Sequence, residues 1–118
     1  MAKRAGRLLA AASAALVAAA ASAAEPPSQA RGQALFEQWC SHCHAPGPGR
    51  PGTYMLGLRL GPEMAVLEDR FVPPEFLTYI VRNGFRSMPS YRKTEQSDAD
   101  VASIGLYLSR ERDQEEAQ

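Results

Sequence analysis

Three observations predict a small all-α domain of three to five helices wrapped around one covalently held group. Apolar residues recur at helical spacing around Leu35-Phe36-Trp39, Phe76-Leu77-Ile80-Val81 and Val101-Ile104-Tyr107-Leu108. The stretches between them are broken by glycine and proline, which interrupt regular structure. The chain also contains Cys40-Ser41-His42-Cys43-His44, a C-x-x-C-H pentapeptide, and this is the attachment signature of a c-type haem.

The first 24 residues stand apart from that domain. Lys3, Arg4 and Arg7 form a positive lead, Leu8 to Ala20 is an Ala/Leu-rich apolar run, and Ala21-Ser22-Ala23-Ala24 offers small-residue cleavage sites before Glu25-Pro26-Pro27. This is the pattern of a secretory signal peptide. The run falls short of the ~20 strongly apolar residues of a spanning anchor, so residues 1–24 are expected to be cleaved on export to the periplasm, leaving no stable membrane insertion. The remaining chain carries ten basic and thirteen acidic residues, a net charge of −3. That mildly acidic balance disfavours nucleic acid as a partner and fits a protein or small-molecule redox partner. Residues 25–112 are expected to form the domain, and the charged stretch 113–118, which has no apolar stripe, a disordered tail.

Ser28 is placed to cap the first helix, which runs through Leu35, Phe36 and Trp39 into Cys40. Gly32 weakens an exposed helix by about 1 kcal/mol relative to alanine, so it either marks a close approach of another backbone or is incidental. On a helical turn, residues three apart have Cβ atoms about 5–6 Å from each other. Cys40 and Cys43 can therefore engage the two vinyl groups of one porphyrin, with His44 beneath the iron as proximal ligand. A redox dithiol would open a helix beside a βαβ pattern, whereas this motif closes a helix and runs into Pro46-Gly47-Pro48-Gly49. Cys40, His42, Cys43 and His44 are too crowded to close a tetrahedron around zinc. A disulfide, the ordinary fate of two cysteines in an exported chain, would leave His44 unexplained. Both thiols are read as thioethers to one haem c, and His42, in the spacer, as a solvent-exposed bystander.

The chain then enters a Pro/Gly loop from Ala45 to Gly52, in which the carbonyl of Pro48 or Pro51 could accept the second ring N–H of His44 and fix its tautomer. Thr53 to Gly61 is interrupted by Gly57 and hints at period two, which predicts an irregular segment along one haem edge. Glu63 to Arg70 can form a short helix. Pro73-Pro74 opens the next one, with Phe76, Leu77, Ile80 and Val81 as its buried stripe and Asn83-Gly84 as its left-handed end. Phe85 to Gln96 is a loop. Ser97 or Asp98 caps the last helix, which runs to about Arg110.

What occupies the second axial position decides between an electron carrier and an enzyme or sensor. Met64 sits in a helical pattern and reads as core filler. Met88 lies in a loop, is stiffened by Pro89 and precedes the closing helix, so it is the favoured sixth ligand. Met55 and an open iron are the alternatives. A thioether favours Fe(II) and raises the potential, and a six-coordinate iron leaves no position for substrate. One-electron transfer follows as the expected activity, with no catalytic residues. Arg59, Arg86, Arg92 and Lys93 are candidates to meet haem propionates or an acidic partner.

With Leu35-Phe36 before Cys40-x-x-Cys43-His44, with Met88-Pro89, and with Tyr107-Leu108 on the last helix, residues 25–112 resemble a small class I cytochrome c. That resemblance implies a fold in which the first and last helices cross near the haem, Gly32 and Gly105 being close-approach positions and Phe36 and Tyr107 lying nearby. Many members have Gly-Pro-x-Leu after the motif, where this chain has Arg50-Pro51-Gly52-Thr53-Tyr54. The stretch from Tyr79 to Glu95, followed by Ser97-Asp98-Ala99-Asp100, is similar to the cytochrome subunit of p-cresol methylhydroxylase-type flavocytochromes. This narrower resemblance implies docking on a flavoprotein dehydrogenase that oxidises 4-alkylphenols, with electrons passed on to a soluble acceptor. A free-standing periplasmic carrier is the alternative, and a gas sensor or peroxidase-like enzyme would need a labile sixth ligand.

Overall fold

Ser28 holds extended backbone (φ −147°, ψ 155°), and its hydroxyl accepts the Arg31 N–H at 3.2 Å, which starts helix α1, Gln29–Trp39. The computed structural model describes residues 25–110. The expected signal peptide, the last two residues of the expected domain and the tail 113–118 lie outside them. At Cys40 the helix pauses. The Cys40 N–H still bonds the Phe36 carbonyl (2.8 Å), and the Cys40 carbonyl then accepts from both Cys43 (3.1 Å) and His44 (2.9 Å), building the one-turn helix α2, Ser41–His44.

The segment expected to be irregular is helix α3, Pro51–Leu60. Pro51 occupies its first position, where a fixed φ and a missing N–H cost nothing, and Gly61 ends it at φ +98°. The glycines that argued against a helix serve packing instead. A Cβ on Gly52 would fall 2.8 Å from His44 Nδ1, and one on Gly57 would sit 3.4 Å from the Ala65 Cβ. The helix expected over Glu63 to Arg70 is in fact two 3₁₀ turns, Pro62–Met64 and Leu67–Asp69. They are split where Ala65 turns inward and Val66 extends (φ −88°, ψ 120°).

Helix α4, Pro74–Asn83, buries Leu77 and Val81 and ends at Gly84, φ +70°. Phe76 does not join that stripe. It is 52 % exposed, and with Tyr79 it forms the outer face, because one residue along a helix rotates the side chain away from the core. Helix α5, Asp98–Ser109, begins in a capping box: the Ser97 side chain accepts the Asp100 N–H, and the Asp100 carboxylate accepts the Ser97 N–H. Its inner face, Val101, Ile104, Tyr107 and Leu108, meets Phe36, Val72, Leu77 and Val81 in one core, with Leu35, Cys40, Leu67, Met88 and Tyr91 at the margin. The described residues contain five α-helices and no strand, only an isolated bridge between Phe85 and Met88. None of these helices is long and apolar enough to cross a membrane.

The frame that positions the site is the crossing of α1 on α5. The Phe36 and Tyr107 rings sit 5.6 Å apart, and the Ser28 N–H reaches the Ser103 hydroxyl at 3.2 Å. Gly32 is a true close-approach position, since a Cβ there would lie 1.9 Å from the Ser103 carbonyl oxygen. Gly105 is not. Its nearest neighbours, Leu77 and Pro74, are at an ordinary 3.7 Å and belong to α4.

Arg31 ties the crossing electrostatically, with Nε and Nη2 on Asp100 Oδ1 at 3.0 and 2.5 Å. Burial pushes the Asp100 carboxyl up, but the Arg31 guanidinium and the Ser97 donors outweigh it, so the group is held below the ordinary carboxylate range. A depressed folded-state pKa contributes stability above the unfolded value, near 4, and loses it as pH falls through the folded value. Thermal melts should therefore show stability declining below about pH 4, and Asp100→Asn should lower Tm at pH 7 while flattening that acid slope.

Candidate haem site

Cys40 and Cys43 are both free thiols three residues apart on the α1–α2 turn, Cys40 partly buried and Cys43 exposed. Burial, with Cys43 beside it, pushes the Cys40 thiol up to about 11. A redox dithiol works through a lowered thiol pKa, so this environment is the opposite of a disulfide-exchange centre. Among the described residues no group of three or more His, Cys, Asp or Glu side chains is arranged to hold a metal ion.

His44 follows on the same turn. Burial and the positive charge of Arg70 hold its imidazole below the ordinary histidine range, which keeps it neutral and its lone pair available. Its Nδ1 is buried against Gly52 and has no hydrogen-bond partner, so neither the Pro48 nor the Pro51 carbonyl takes the role expected of it. The cause is local. Pro51 and Gly52 lie inside α3 rather than in a loop, and the nearby Cys43 and Ala45 carbonyls face the Thr53 hydroxyl at 3.5 and 2.8 Å. His42 is exposed, and its carbonyl accepts from Arg50 Nη1 at 3.3 Å.

Met88 is held by a tight turn. Phe85 and Met88 exchange both backbone hydrogen bonds, at 3.1 and 3.0 Å, around Arg86-Ser87. A Cβ on Gly84 would come within 2.6 Å of the Met88 carbonyl. Beyond Pro89 the loop is fastened to α4 and α5. The Tyr91 N–H bonds the Val81 carbonyl (2.8 Å), Arg82 Nη1 bonds the Tyr91 carbonyl (3.2 Å), and Arg82 Nη2 and Lys93 Nζ share Asp98 at 2.9 and 2.8 Å. Tyr91 brings this loop to the motif. Its ring meets Trp39 edge-on at 5.7 Å, and burial together with the nearby Cys40 and Cys43 raises its pKa. Met88 itself is partly buried against the core, whereas Met55 is 43 % exposed.

Arg86 adopts φ +55°, a left-handed conformation at the first central position of the turn, where glycine is preferred. Left-handed backbone costs a non-glycine residue roughly 1–2 kcal/mol, offset in part by the entropy a new glycine adds to the unfolded chain, about 0.4–1 kcal/mol. Arg86→Gly should raise stability by up to about 1 kcal/mol, read as a higher midpoint in denaturant.

The cations expected to meet haem propionates or an acidic partner lie at the surface of this region. Arg59 and Arg86 lie over the Phe85 ring at 5.8 and 5.7 Å, Lys93 pairs with Asp98, and Arg92 is exposed. Next to the motif, the Gly47–Pro51 loop, the Tyr54 and Leu58 face of α3, Pro62 and Ala65 line an open, mainly apolar cavity of about 870 Å³. That volume lies in the range of cofactor sites. Cys40, Cys43, His44 and Met88 are not part of its lining. Two thiols on one turn, a partly buried, neutral imidazole whose Nδ1 is orphaned, and a thioether on a braced turn are a donor set that fits haem c.

Residues 27–108 match the model of the family described as "Cytochrome C oxidase, cbb3-type, subunit III". Over 78 residues the chain is 36 % identical to the 4-cresol dehydrogenase [hydroxylating] cytochrome c subunit of Pseudomonas putida, a match covering 66 % of this chain and 58 % of that protein. Two crystal structures of p-cresol methylhydroxylase, one with substrate bound and one at 2.5 Å resolution, each contain a chain that is 35 % identical with a TM-score of 0.49. These matches cover 66 % of this chain and 88 % and 89 % of the others. The C-x-x-C-H turn, the helical frame that carries it and a family match over 82 of 118 residues lead to one conclusion: the chain belongs to the cytochrome c family that this model describes.

Proposed function

We propose that this protein is an exported, periplasmic electron-transfer subunit that takes single electrons from a flavoprotein dehydrogenase oxidising 4-alkylphenols and passes them to a soluble acceptor. The observation that carries the proposal is the C-x-x-C-H turn, Cys40 to His44, in a chain 36 % identical to a 4-cresol dehydrogenase cytochrome c subunit. Cys40 and Cys43 would hold one haem c through thioethers, and His44 and Met88 would ligate its iron. When bound, the haem supplies a one-electron Fe(III)/Fe(II) couple.

The protein's own part is to hold that couple still. The buried, neutral imidazole of His44 presents a lone pair without competing for a proton. The turn from Phe85 to Met88, fastened through Tyr91 and Arg82 to α4 and α5, fixes the thioether, so little needs to move between oxidation states. Substrate oxidation is assigned to the partner. The exposed apolar side chains Tyr54, Leu58 and Phe85 offer the surface on which a larger protein would dock.

The test is gentle purification from the source periplasm. Co-elution of haem with a flavin and a larger polypeptide, followed by haem reduction on adding a 4-alkylphenol, is the expected result. A flavin-free monomer that 4-alkylphenol does not reduce would instead identify a free-standing carrier.

A further inference from the structure

Gly52 occupies the first turn of α3 in ordinary right-handed helix, outside the positive-φ glycines, so its backbone would accept any residue. Glycine is among the poorest helix formers, and what it gains here is space. A Cβ at this position would lie 2.6 Å from His44 Cε1, 2.8 Å from His44 Nδ1 and 2.8 Å from the Cys43 carbonyl oxygen. The helix backbone therefore lies against the Nδ1–Cε1 edge of the imidazole. Its neighbours reach the same peptide. Arg50, the N-cap of α3, donates from Nη1 to the His42 carbonyl at 3.3 Å, and the Thr53 hydroxyl donates to the Ala45 carbonyl at 2.8 Å. One helical turn thus meets the ring of His44 and ties the backbone before and after it.

A ligating histidine ordinarily donates its other ring N–H to a carbonyl or carboxylate, and that bond fixes the tautomer and orientation of the ring. The buried Nδ1 of His44 has no such acceptor among the described residues, so the plane of this ring has to be held by other means. We propose that the opening turn of α3 is the positioning device for His44: Gly52 blocks rotation of the imidazole, and Arg50 and Thr53 hold the peptide on either side of it. The proposal rests on the haem reading of the motif. A free side chain could swing aside from a Cβ at position 52. A ring tied to iron has no such freedom, and the Cys43 carbonyl is backbone, so the overlap is relieved only by a twist of the ring about its bond to the metal or by a retreat of α3. In low-spin Fe(III) the half-filled orbital follows the planes of the axial ligands, so the proton shifts of the haem methyl groups report that twist.

The experiment is proton NMR of the oxidised, haem-loaded protein, with a reductive titration, for the wild type, Gly52→Ala, Thr53→Val, Thr53→Ser and Gly57→Ala. Gly52→Ala should keep the covalent-haem absorption spectrum, redistribute the haem methyl shifts and move the reduction potential. Thr53→Val should change the methyl pattern in a smaller degree, and Thr53→Ser, which keeps the hydroxyl, should return it to that of the wild type. Gly57→Ala is the control on the same helix. Its Cβ would meet Ala65 at 3.4 Å and not the histidine, so it should leave the methyl pattern in place whatever it does to stability. A Gly52→Ala protein whose methyl shifts and potential overlay the wild type, even with a lowered Tm, would overturn the proposal and leave the haem reading standing. An equal redistribution in Gly57→Ala would overturn it as well, because any loosening of α3 would then suffice. If Gly52→Ala does not assemble, the Thr53 pair decides: a Thr53→Val pattern that overlays the wild type overturns the proposal, and a displaced one that serine restores supports it. A wild-type protein without covalent haem would overturn both readings.

Discussion

Met88→Ala should convert the iron from a closed to an open site. The reduced variant is expected to bind carbon monoxide rapidly where the wild type resists it, and its potential should fall by a sizeable part of the roughly 0.8 V range that axial ligation spans. On the proposed ligation, the loss of the thioether removes the ligand that favours Fe(II). Stability should fall as well, because Met88 packs at the margin of the core and truncating a buried methionine to alanine costs about 2–5 kcal/mol, toward the lower end for a partly exposed residue. Optical spectra with and without carbon monoxide measure the first effect and denaturant titration the second. A variant with the wild-type spectrum would pass the ligand assignment to another residue, with Met55→Ala as the next variant to make.

Gly32→Ala should be the most damaging single-methyl change in the domain. The added Cβ would meet the Ser103 carbonyl oxygen at 1.9 Å, its carbon at 2.5 Å and the Tyr107 Cβ at 2.9 Å. Two of these are backbone atoms that no rotamer change can clear. Overpacking at such a contact costs roughly 3 kcal/mol, a large part of the 5–15 kcal/mol of a typical domain. For a chain of this size that corresponds to a fall in Tm on the order of 15 °C. Because α1 carries Cys40 at its end, the yield of haem-loaded protein should fall with it. Gly105→Ala is the control. Its neighbours stand at 3.7 Å or more, so the effect should be small.

Where a residue's role depended on local chemistry, the sequence made it legible. The caps at Ser28 and Ser97, the Pro-initiated start of α4 and its end at Gly84, and the inner face of α5 all follow from side-chain types at fixed offsets. The C-x-x-C-H turn and the loop position of Met88 ahead of Pro89 belong to the same class. What could not be read was set by distant parts of the chain. Gly52 and Gly57 weaken a helix in isolation and become useful only when His44 and Ala65 lie against them, so α3 looked irregular. The hydrogen-bond acceptor for His44 was misplaced for the same reason, since the prolines expected to supply it flank or enter that helix. Phe76 was assigned to the core because an aromatic next to Leu77 fits a broad stripe, yet the rotation of α4 puts it outside.

The α1–α5 crossing also bears on the order in which the molecule can be made. Ser28 and Ser103, which meet there, are 75 residues apart, nearly the whole described length. The cost of closing so long a loop is recovered only when both ends are present. A chain that emerges amino end first exposes Phe36, Cys40 and Cys43 well before Ile104 and Leu108 exist to cover that side of α1. The thiols therefore pass through a stage at which they stand on an uncovered helix, open to covalent attachment. The domain locks only when its last helix arrives.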